Sequence, residues 1–323
     1  MEALLDIRHL RVEVPTRHAT LVALDDISLS IRPGEILGLV GESGAGKSML
    51  GSAVTGLLSS PARIAGGEIR LEGQRIDNLP VAAQRRLRGA QIGAIFQDPL
   101  TTLDPLFTVG EQLMETLRTH RPLSRAEARA EALYWLTEVG IPAPAQRLDS
   151  YPHEFSGGMR QRVVIALALC AGPRLVIADE PTTALDVSVQ AQIIALLRRL
   201  AREKGTAILL VTHDMGVIAE ACDRVAVLYA GRLAEIGPVA AVTQRPRHPY
   251  AAGLMASIPP VDRRLPRLAQ IDGAMPRLAA IPAGCAFHPR CRRAVTRCAA
   301  DRPAVTPGET QAACWEPIEI AHG

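Results

Sequence analysis

One stretch of the sequence has the residues needed to bind phosphate. It reads Gly41-Glu42-Ser43-Gly44-Ala45-Gly46-Lys47-Ser48, which fits the phosphate-loop pattern of a glycine, four residues and then Gly-Lys-Ser. An apolar segment precedes it, and a segment that can form a helix follows it. Glycines let successive backbone N–H groups turn toward one anion at a helix N-terminus. The pattern predicts a nucleotide site in which Lys47 reaches the β- and γ-phosphates and Ser48 is a ligand of Mg²⁺.

A second group of polar side chains follows segments that read as buried strands. Each residue lies at or just after the end of an apolar run: Gln97, Asp179, Glu180 and His213. Ligands in open α/β sheets bind at the carboxyl ends of parallel strands. The acidic pair Asp179 and Glu180 therefore favours a site for Mg²⁺ and a water molecule. A lone histidine is usually structural, but its place after a strand favours a functional role for His213.

A third motif, Ser156-Gly157-Gly158, stands before an apolar helical segment. Ser156 is typical of a helix N-cap, and the two glycines could expose helix-end amides to a second anion. Taken alone the motif is weak, because such a sequence is more often a plain cap than a binding site.

The segments around these motifs alternate between two periodicities. Residues 4–14 and 21–32 largely alternate apolar and polar, which predicts strands of an antiparallel sheet. Between about 100 and 155 apolar residues recur every three or four, which predicts a helical insertion in an α/β core. The expected buried faces of two of its helices are Val109, Leu113 and Leu117 in one, and Ala126, Ala130, Leu133, Leu136 and Val139 in the next.

Composition limits the class of protein. The chain has 323 residues, 36 basic and 33 acidic, a net charge of +3 and only 3% aromatic residues. This balance does not suggest a nucleic-acid partner. No apolar window approaches the roughly 18 residues of a membrane span, and the acidic N-terminus lacks the basic region of a signal peptide. We expect a cytoplasmic protein with reduced thiols, built from one large and one smaller domain.

In their order and spacing these motifs resemble the ATP-binding subunit of ABC transporters. The likeness covers about residues 4–240, and its elements are the phosphate loop, the Q-loop Gln97, the signature loop 156–161, the Asp179-Glu180 pair, the D-loop Ala184-Leu185-Asp186 and the switch His213. It implies a P-loop NTPase fold in residues 1–240, with a mixed β core, an antiparallel β subdomain and a helical subdomain at about 100–170. Phe155 replaces the usual leucine of the signature. Val14 holds the place of an aromatic that many members stack on adenine, so that contact is not implied.

The resemblance also implies a reaction, which is ATP hydrolysis by in-line attack of water on the γ-phosphate. Ser48, Gln97 and Asp179 would hold Mg²⁺. Glu180 would polarise the water, and His213 would contact the γ-phosphate. Cassettes of this family pair head to tail, so ATP bound to one phosphate loop would meet the partner's Ser-Gly-Gly. The remaining nucleotide-binding positions are Ser156, Gly157, Gly158 and Asp186.

The C-terminal extension, residues 241–323, resembles the extension of importers for oligopeptides, dipeptides and nickel. The similar segments are 244–250 and 284–291. The implied function is ATP-driven import of a peptide or related solute. The implied partners are two membrane permeases, a second cassette (identical or a paralogue) and an extracytoplasmic solute-binding protein, with the chain peripheral at the cytoplasmic face of the inner membrane. The alternatives are a non-transport ABC ATPase, or an ATPase with a redox- or metal-sensing tail.

Four of the six cysteines lie in this extension, at Cys285, Cys291, Cys298 and Cys314. Disulfides are disfavoured in the cytosol, and a Pro- and Arg-rich segment with few core residues gains stability from a metal. Four thiolates suit zinc or a [4Fe–4S] cluster. Because the paired Cys-x2-Cys of zinc ribbons is absent and some members of this importer family carry a cluster here, the cluster is favoured. We expect it to be structural and far from the hydrolysis site, with Cys170 and Cys222 plain core residues.

Overall fold

The computed structural model describes residues 3–183, 185–258 and 269–319. Its strands are β1 (Leu5–Pro15), β2 (Thr20–Ile31), β3 (Ile36–Val40), β4 (Arg63–Leu71), β5 (Gln74–Arg75), β6 (Ile92–Ile95), β7 (Leu175–Asp179), β8 (Ala207–Val211), β9 (Arg224–Tyr229), β10 (Arg232–Pro238) and β11 (Gln311–Ala312). Its helices are α1 (Lys47–Thr55), α2 (Val81–Leu87), α3 (Pro99–Thr102), α4 (Val109–His120), α5 (Arg125–Glu138), α6 (Pro144–Arg147), α7 (Gly157–Leu169), α8 (Val187–Lys204), α9 (Met215–Ala221), α10 (Val239–Gln244), α11 (Pro249–Ala256) and α12 (Thr296–Ala300).

The chain divides into two compact units. The first unit consists of Met1–Leu5, Ile31–Ile36 and Asn78–Val211, and the second of Asp6–Ser30, Leu37–Asp77 and Thr212–Gly323. The sequence analysis predicted a boundary between a cassette (1–240) and an extension (241–323). That boundary separates sequence families and does not coincide with a division between these two units, so it stays a prediction.

Three parallel strands organise the first unit. β6 pairs with β7, and β7 pairs with β8 along its whole length. All five residues of β8 are buried, and so are the first four of β7. Such near-continuous apolar runs are typical of parallel strands covered on both faces. The sequence analysis predicted both as buried strands, and the structure confirms them.

The helical insertion is also confirmed, with α3 to α7 following one another between β6 and β7. A capping box starts α4 at Thr108 and another starts α5 at Ser124, each satisfying the amides of a first turn. α4 buries Val109, Leu113 and Leu117 as predicted.

The predicted face of α5 is wrong in its first half, because Ala126 and Ala130 are exposed. Its buried residues are Ala128, Ala132, Trp135 and Leu136. Ala128 and Ala132 are four residues apart, as Ala126 and Ala130 are, so the alanines alone fit either face of the helix. The large Trp135 side chain determines which face packs inward.

The second unit contains a sheet in the order β2-β1-β4-β5 and a set of strands built on β3. β3 pairs in parallel with β9, β9 is antiparallel to β10, and β10 is antiparallel to β11. The alternation predicted for β1 and β2 is observed in their buried residues, Ile7, Leu10, Val12, Ile27 and Leu29. The short strand β11, which the sequence analysis did not predict, joins the end of the extension to β10. In the described part of the chain no helix is both long and apolar enough to span a membrane.

Candidate active site

The phosphate loop lies between β3 and α1, as the sequence predicts. β3 is buried throughout and ends at Val40. A Cβ on Gly41 would lie 2.3 Å from the carbonyl oxygen of Leu228, so no larger residue fits there. Gly44 and Gly46 have φ of +82° and +103°, a left-handed conformation that glycine adopts without strain. Because Gly46 has no side chain to cap α1, the first amides of this helix remain available to an anion.

Lys47 folds back over this loop. Its buried ammonium donates hydrogen bonds to Gly41 O at 2.8 Å and to Glu42 O at 3.2 Å, while the Ala45 amide donates to Glu42 O at 3.1 Å. These contacts hold the loop curled and place a cation at its centre. Ser48 is exposed on the first turn of α1, where its hydroxyl is accessible to a ligand. The cradle therefore suits a nucleotide phosphate with its metal ion.

Glu42, in the same loop, is held by two residues of the C-terminal extension. Its amide donates to the Tyr250 hydroxyl at 2.8 Å. Its carboxylate accepts Arg290 Nη1 at 3.1 Å on each oxygen. The sequence analysis expected a cluster of the four cysteines to lie far from the hydrolysis site, which stays a prediction, and it did not predict these two contacts with the phosphate loop. Both lie in the segments that resemble the importer extension, but no local signal marks a contact between residues so far apart along the chain.

The strand tip of β7 carries the predicted acidic pair in the first unit. Asp179 ends the strand with its Oδ1 buried. Glu180 follows with φ of +47°, a sparsely populated conformation for a side-chain-bearing residue and one that clusters at functional sites. Its amide donates to Val211 O of β8 at 2.9 Å. The backbone therefore turns at the tip and fixes the direction of the Glu180 side chain.

The structure brings Gln97 to Glu180, as expected for residues that follow neighbouring parallel strands. Gln97 Nε2 donates to Glu180 Oε2 at 3.1 Å, and Thr183 Oγ1 donates to the same oxygen at 2.9 Å. Thr183 was missed by the sequence analysis. Its signal was available, because it lies three residues beyond the carboxylate that it supports.

The Ser-Gly-Gly motif starts α7 in the first unit. Ser156 is the N-cap, and its Oγ accepts the Met159 amide at 3.4 Å. Ser156 and Gly157 are exposed. A Cβ on Gly158 would lie 2.7 Å from Val189 Cγ1 on α8, so this glycine permits close packing of the two helices. The cap reading is confirmed, and nucleotide contact by these residues stays a prediction.

Asp186 and His213 occupy loops next to helices. Asp186 caps α8 by accepting the Ser188 hydroxyl at 2.6 Å and the Val189 amide at 2.9 Å. These hydrogen bonds, first that from Ser188, lower the pKa of Asp186. Ala184 of the predicted D-loop lies outside the described residues. His213 is exposed between β8 and α9, so its ring is accessible.

The four cysteines of the extension are free thiols. Burial raises the pKa of Cys285 and Cys291, and raises that of Cys314 to about 11. The Cys285 amide donates to Cys298 O at 2.8 Å. However, within residues 3–183, 185–258 and 269–319 no three His, Cys, Asp or Glu side chains converge in a way that could hold a metal ion. The thiols have the chemistry of a metal site but are not arranged as its ligands. Cys170 is buried, as predicted for a core residue.

The fold and these sites define an ATP-binding cassette, and comparison with known proteins refines that class. Residues 24–183 match the ABC transporter family, and residues 234–298 match the C-terminal region of oligopeptide/dipeptide transporters. The chain is 48% identical over 320 residues to the oligopeptide transport ATP-binding protein OppD of Escherichia coli, covering 98% of this chain and 94% of that protein. It is 43% identical to the dipeptide transport ATP-binding protein DppD of the same organism, covering 99% and 98%.

A solved structure is similar as well. It is the dimeric post-hydrolysis state of the cassette MJ0796 bound to ADP and phosphate, with a TM-score of 0.66, 28% identity and coverage of 73% of this chain and 98% of that one. The chain belongs to the ABC transporter family, among the oligopeptide and dipeptide transport ATP-binding proteins.

Proposed function

We propose that this chain is the ATP-hydrolysing subunit of an importer for oligopeptides or dipeptides. It acts with two membrane permeases, a second cassette and an extracytoplasmic solute-binding protein, and it is peripheral to the cytoplasmic face of the inner membrane. The observation that carries the proposal is a complete phosphate loop, with Lys47 folded over it, in a chain similar over 98% of its length to a peptide transport subunit. This full-length similarity favours transport over a non-transport ABC ATPase.

Each motif supports one role in hydrolysis. In the second unit, the amides of the phosphate loop and Lys47 bind the phosphates, Ser48 offers a hydroxyl to Mg²⁺, and His213 contacts the γ-phosphate. In the first unit, Gln97 and Asp179 offer oxygen ligands to Mg²⁺. Mg²⁺ supplies charge neutralisation for the transferred phosphoryl group. These roles rest on the motifs and their order along the chain.

Glu180 has the role of orienting and polarising the attacking water. Two donors, Gln97 Nε2 and Thr183 Oγ1, hold one of its oxygens in place. A carboxylate fixed in this way is pre-organised for in-line attack, which positioning and electrostatics accelerate most. The exposed Ser156 and Gly157, with Gly158 and Asp186, are assigned to the nucleotide held by the partner cassette.

The test is peptide uptake by the reconstituted transporter. Proteoliposomes with the chain, its second cassette, both permeases and the binding protein should take up labelled oligopeptide only with ATP and Mg²⁺. Glu180→Gln should retain ATP binding and stop both hydrolysis and uptake, because the water is no longer polarised. Glu203→Gln, at an exposed position near the end of α8, is the matched control. Near-normal uptake with Glu180→Gln would overturn its role, and ATP-independent uptake would overturn the proposal.

We also propose that Cys285, Cys291, Cys298 and Cys314 hold one [4Fe–4S] cluster, with zinc as the alternative. Support comes from the chemistry of four free thiols within one segment. The other three cysteines also contribute, after burial, to the raised pKa of Cys314. Ligation requires the thiols to move from the arrangement described above, and no step of hydrolysis is assigned to the cluster.

Anaerobic purification tests this assignment. The protein should be brown, absorb broadly at about 400 nm and contain about four irons per chain. Any single Cys→Ser change in the set should remove the colour, whereas Cys170→Ser, in the core of the first unit, should keep it. Colourless protein with one zinc per chain would show that the four cysteines bind zinc instead of a cluster. Colourless, metal-free protein would show that these cysteines are structural.

A further inference from the structure

The loop before Cys291 reaches the phosphate loop through one side chain. Arg290 donates Nη1 to both carboxylate oxygens of Glu42 at 3.1 Å, and this guanidinium side chain is only 7% exposed. The same Nη1 lies 3.3 Å from the Tyr229 hydroxyl. A charge-assisted contact to a buried guanidinium is stronger than an exposed ion pair. Arg290 therefore compensates the one acidic side chain of the phosphate loop.

The rest of the Arg290 side chain is fixed by backbone oxygens. Nε donates to Asp272 O at 2.8 Å, and Nη2 donates to Ile271 O and Gly273 O at 3.3 Å each. The guanidinium also lies over the rings of Tyr229 and Phe287, with its carbon 5.8 and 5.9 Å from their centres. Its position is thus set by residues of the extension and β9 and does not depend on Glu42 alone.

Glu42 itself is held from three directions. Arg290 binds its carboxylate, the Tyr250 hydroxyl accepts its amide, and Lys47 donates to its carbonyl. The two peptide groups that flank Glu42 belong to the phosphate loop. An uncompensated carboxylate on that loop would repel the phosphates, because two negative charges in a partly buried site are weakly screened.

We propose that Arg290 is a positioning residue for ATP binding, which neutralises Glu42 and holds the phosphate loop in its receptive shape. This inference rests on the proposed function and deepens it, because it assigns the C-terminal extension a direct role at the nucleotide site. The role belongs to this chain's own residues and requires no metal in the extension.

The test is equilibrium binding of a fluorescent ATP analogue to the purified full chain with Mg²⁺. Arg290→Ala should weaken binding about tenfold. Arg290→Lys keeps the charge but loses the Nε and Nη2 contacts with the backbone oxygens of 271–273 that position it, and should weaken binding about threefold. The double variant Glu42→Gln/Arg290→Ala should recover most of the lost affinity, because the exposed carboxylate is gone. Arg292→Ala is the matched control. It removes an arginine two positions along the chain whose ion pair with Asp272 is largely exposed.

The outcomes separate the two proposals. If the wild-type chain binds no nucleotide, the proposed function fails. If the wild-type chain binds and Arg290→Ala binds equally well, the positioning role is overturned. A double variant as weak as Arg290→Ala would also overturn it, since a merely structural loss is not rescued by removing a charge. If Arg290→Ala does not fold, Glu42→Gln alone decides. It should tighten binding about threefold, and unchanged affinity would contradict the proposal.

Discussion

The phosphate loop and the C-terminal extension meet at Glu42, but they are held in opposite ways. The loop is closed by its own neighbours, since Lys47 donates to oxygens five and six residues before it. The extension is held by distant residues. Arg290 binds a partner 248 positions away, and Arg302 binds Asp25, 277 positions away. Local closure should let the loop lose function without unfolding, whereas the attachment of the extension should weaken when its buried, distant anchors are removed.

The largest expected effect is on the locally closed loop. Lys47→Ala should lower ATP hydrolysis by the assembled transporter at least about a hundredfold, because the cation facing the phosphates is lost. The chain should stay folded because the glycines still set the backbone, with a free energy of unfolding lower by about 1 to 3 kcal/mol, since two carbonyl oxygens lose the Lys47 donor. The sequence contains two lysines, Lys47 and Lys204, so Lys204→Ala at the exposed end of α8 is the matched control.

The same pair of lysines allows a second measurement on unaltered protein. Lysine acylation followed by mass spectrometry should show that ATP protects Lys47 and leaves Lys204 reactive. Equal modification of Lys47 with and without ATP would contradict its phosphate contact. Unfolding of Lys47→Ala would contradict the idea that local closure separates function from stability.

The next effect concerns the anchor of the extension, Glu235 on β10. This carboxylate is fully buried and accepts the amides of Arg247 and His248 at 3.0 and 2.8 Å, and it also accepts the Thr310 hydroxyl. Glu235→Ala would leave these donors buried without an acceptor, which should lower the free energy of unfolding by about 3 kcal/mol. Trypsin should then cleave the extension within the native protein.

Glu235→Gln is the matched control, because its amide oxygen still accepts and its volume is unchanged. It should lose much less stability and resist trypsin better than Glu235→Ala. If Glu235→Ala and Glu235→Gln both resist trypsin as well as the wild-type chain, the extension is attached mainly by its apolar contacts. Its attachment would then not depend on a single distant polar contact.

A smaller effect follows from His248, at the start of α11. Burial lowers its pKa from 6.5 to about 4, and its Nδ1 accepts the Tyr250 amide at 3.0 Å. The unfolded chain takes up a proton at higher pH than the folded one. The contribution of neutral His248 to the free energy of unfolding is therefore complete above about pH 6.5, and it is lost as the pH falls toward 4. Between pH 7 and pH 5 the free energy of unfolding should decrease by about 2 kcal/mol from this group.

Urea unfolding at the two pH values measures this change. His248→Asn keeps a side-chain acceptor for the cap and should remove most of the pH difference. His18→Asn, at an exposed position, should leave that difference in place. An equal pH dependence in the wild-type chain and His248→Asn would show that other groups cause the loss of stability at pH 5.

These contacts also explain which features could be predicted from the sequence and which could not. The phosphate loop, the acidic tip of β7 and the cap at Ser156 were predicted because each depends on a few consecutive residues. The face of α5 was misread where alanines gave two equivalent spacings and only the distant packing of Trp135 chose between them. Glu235, Tyr250 and Arg290 were missed because their partners lie elsewhere in the chain, and no periodicity records which charge compensates which.

The smallest expected effect concerns the contact between the phosphate loop and the extension at Glu42. Tyr250→Phe removes the hydroxyl that accepts the Glu42 amide at 2.8 Å and keeps the ring, whose centre lies 4.6 Å from that of Tyr229 and 5.3 Å from that of Phe287. The free energy of unfolding should fall by about 1 kcal/mol, the usual net value of one hydrogen bond. The extension should stay resistant to trypsin because the aromatic packing is intact.

Tyr250→Ala is the comparison that separates hydroxyl from ring. It leaves a cavity in the core of the extension and should destabilise the protein by about 3 to 5 kcal/mol. If Tyr250→Phe is as destabilising as Tyr250→Ala, the hydroxyl contact with the phosphate loop dominates the attachment. If Tyr250→Phe has no effect on stability or ATP affinity, Glu42 is held by Arg290 and Lys47 alone, and the two regions meet through charge rather than through the tyrosine.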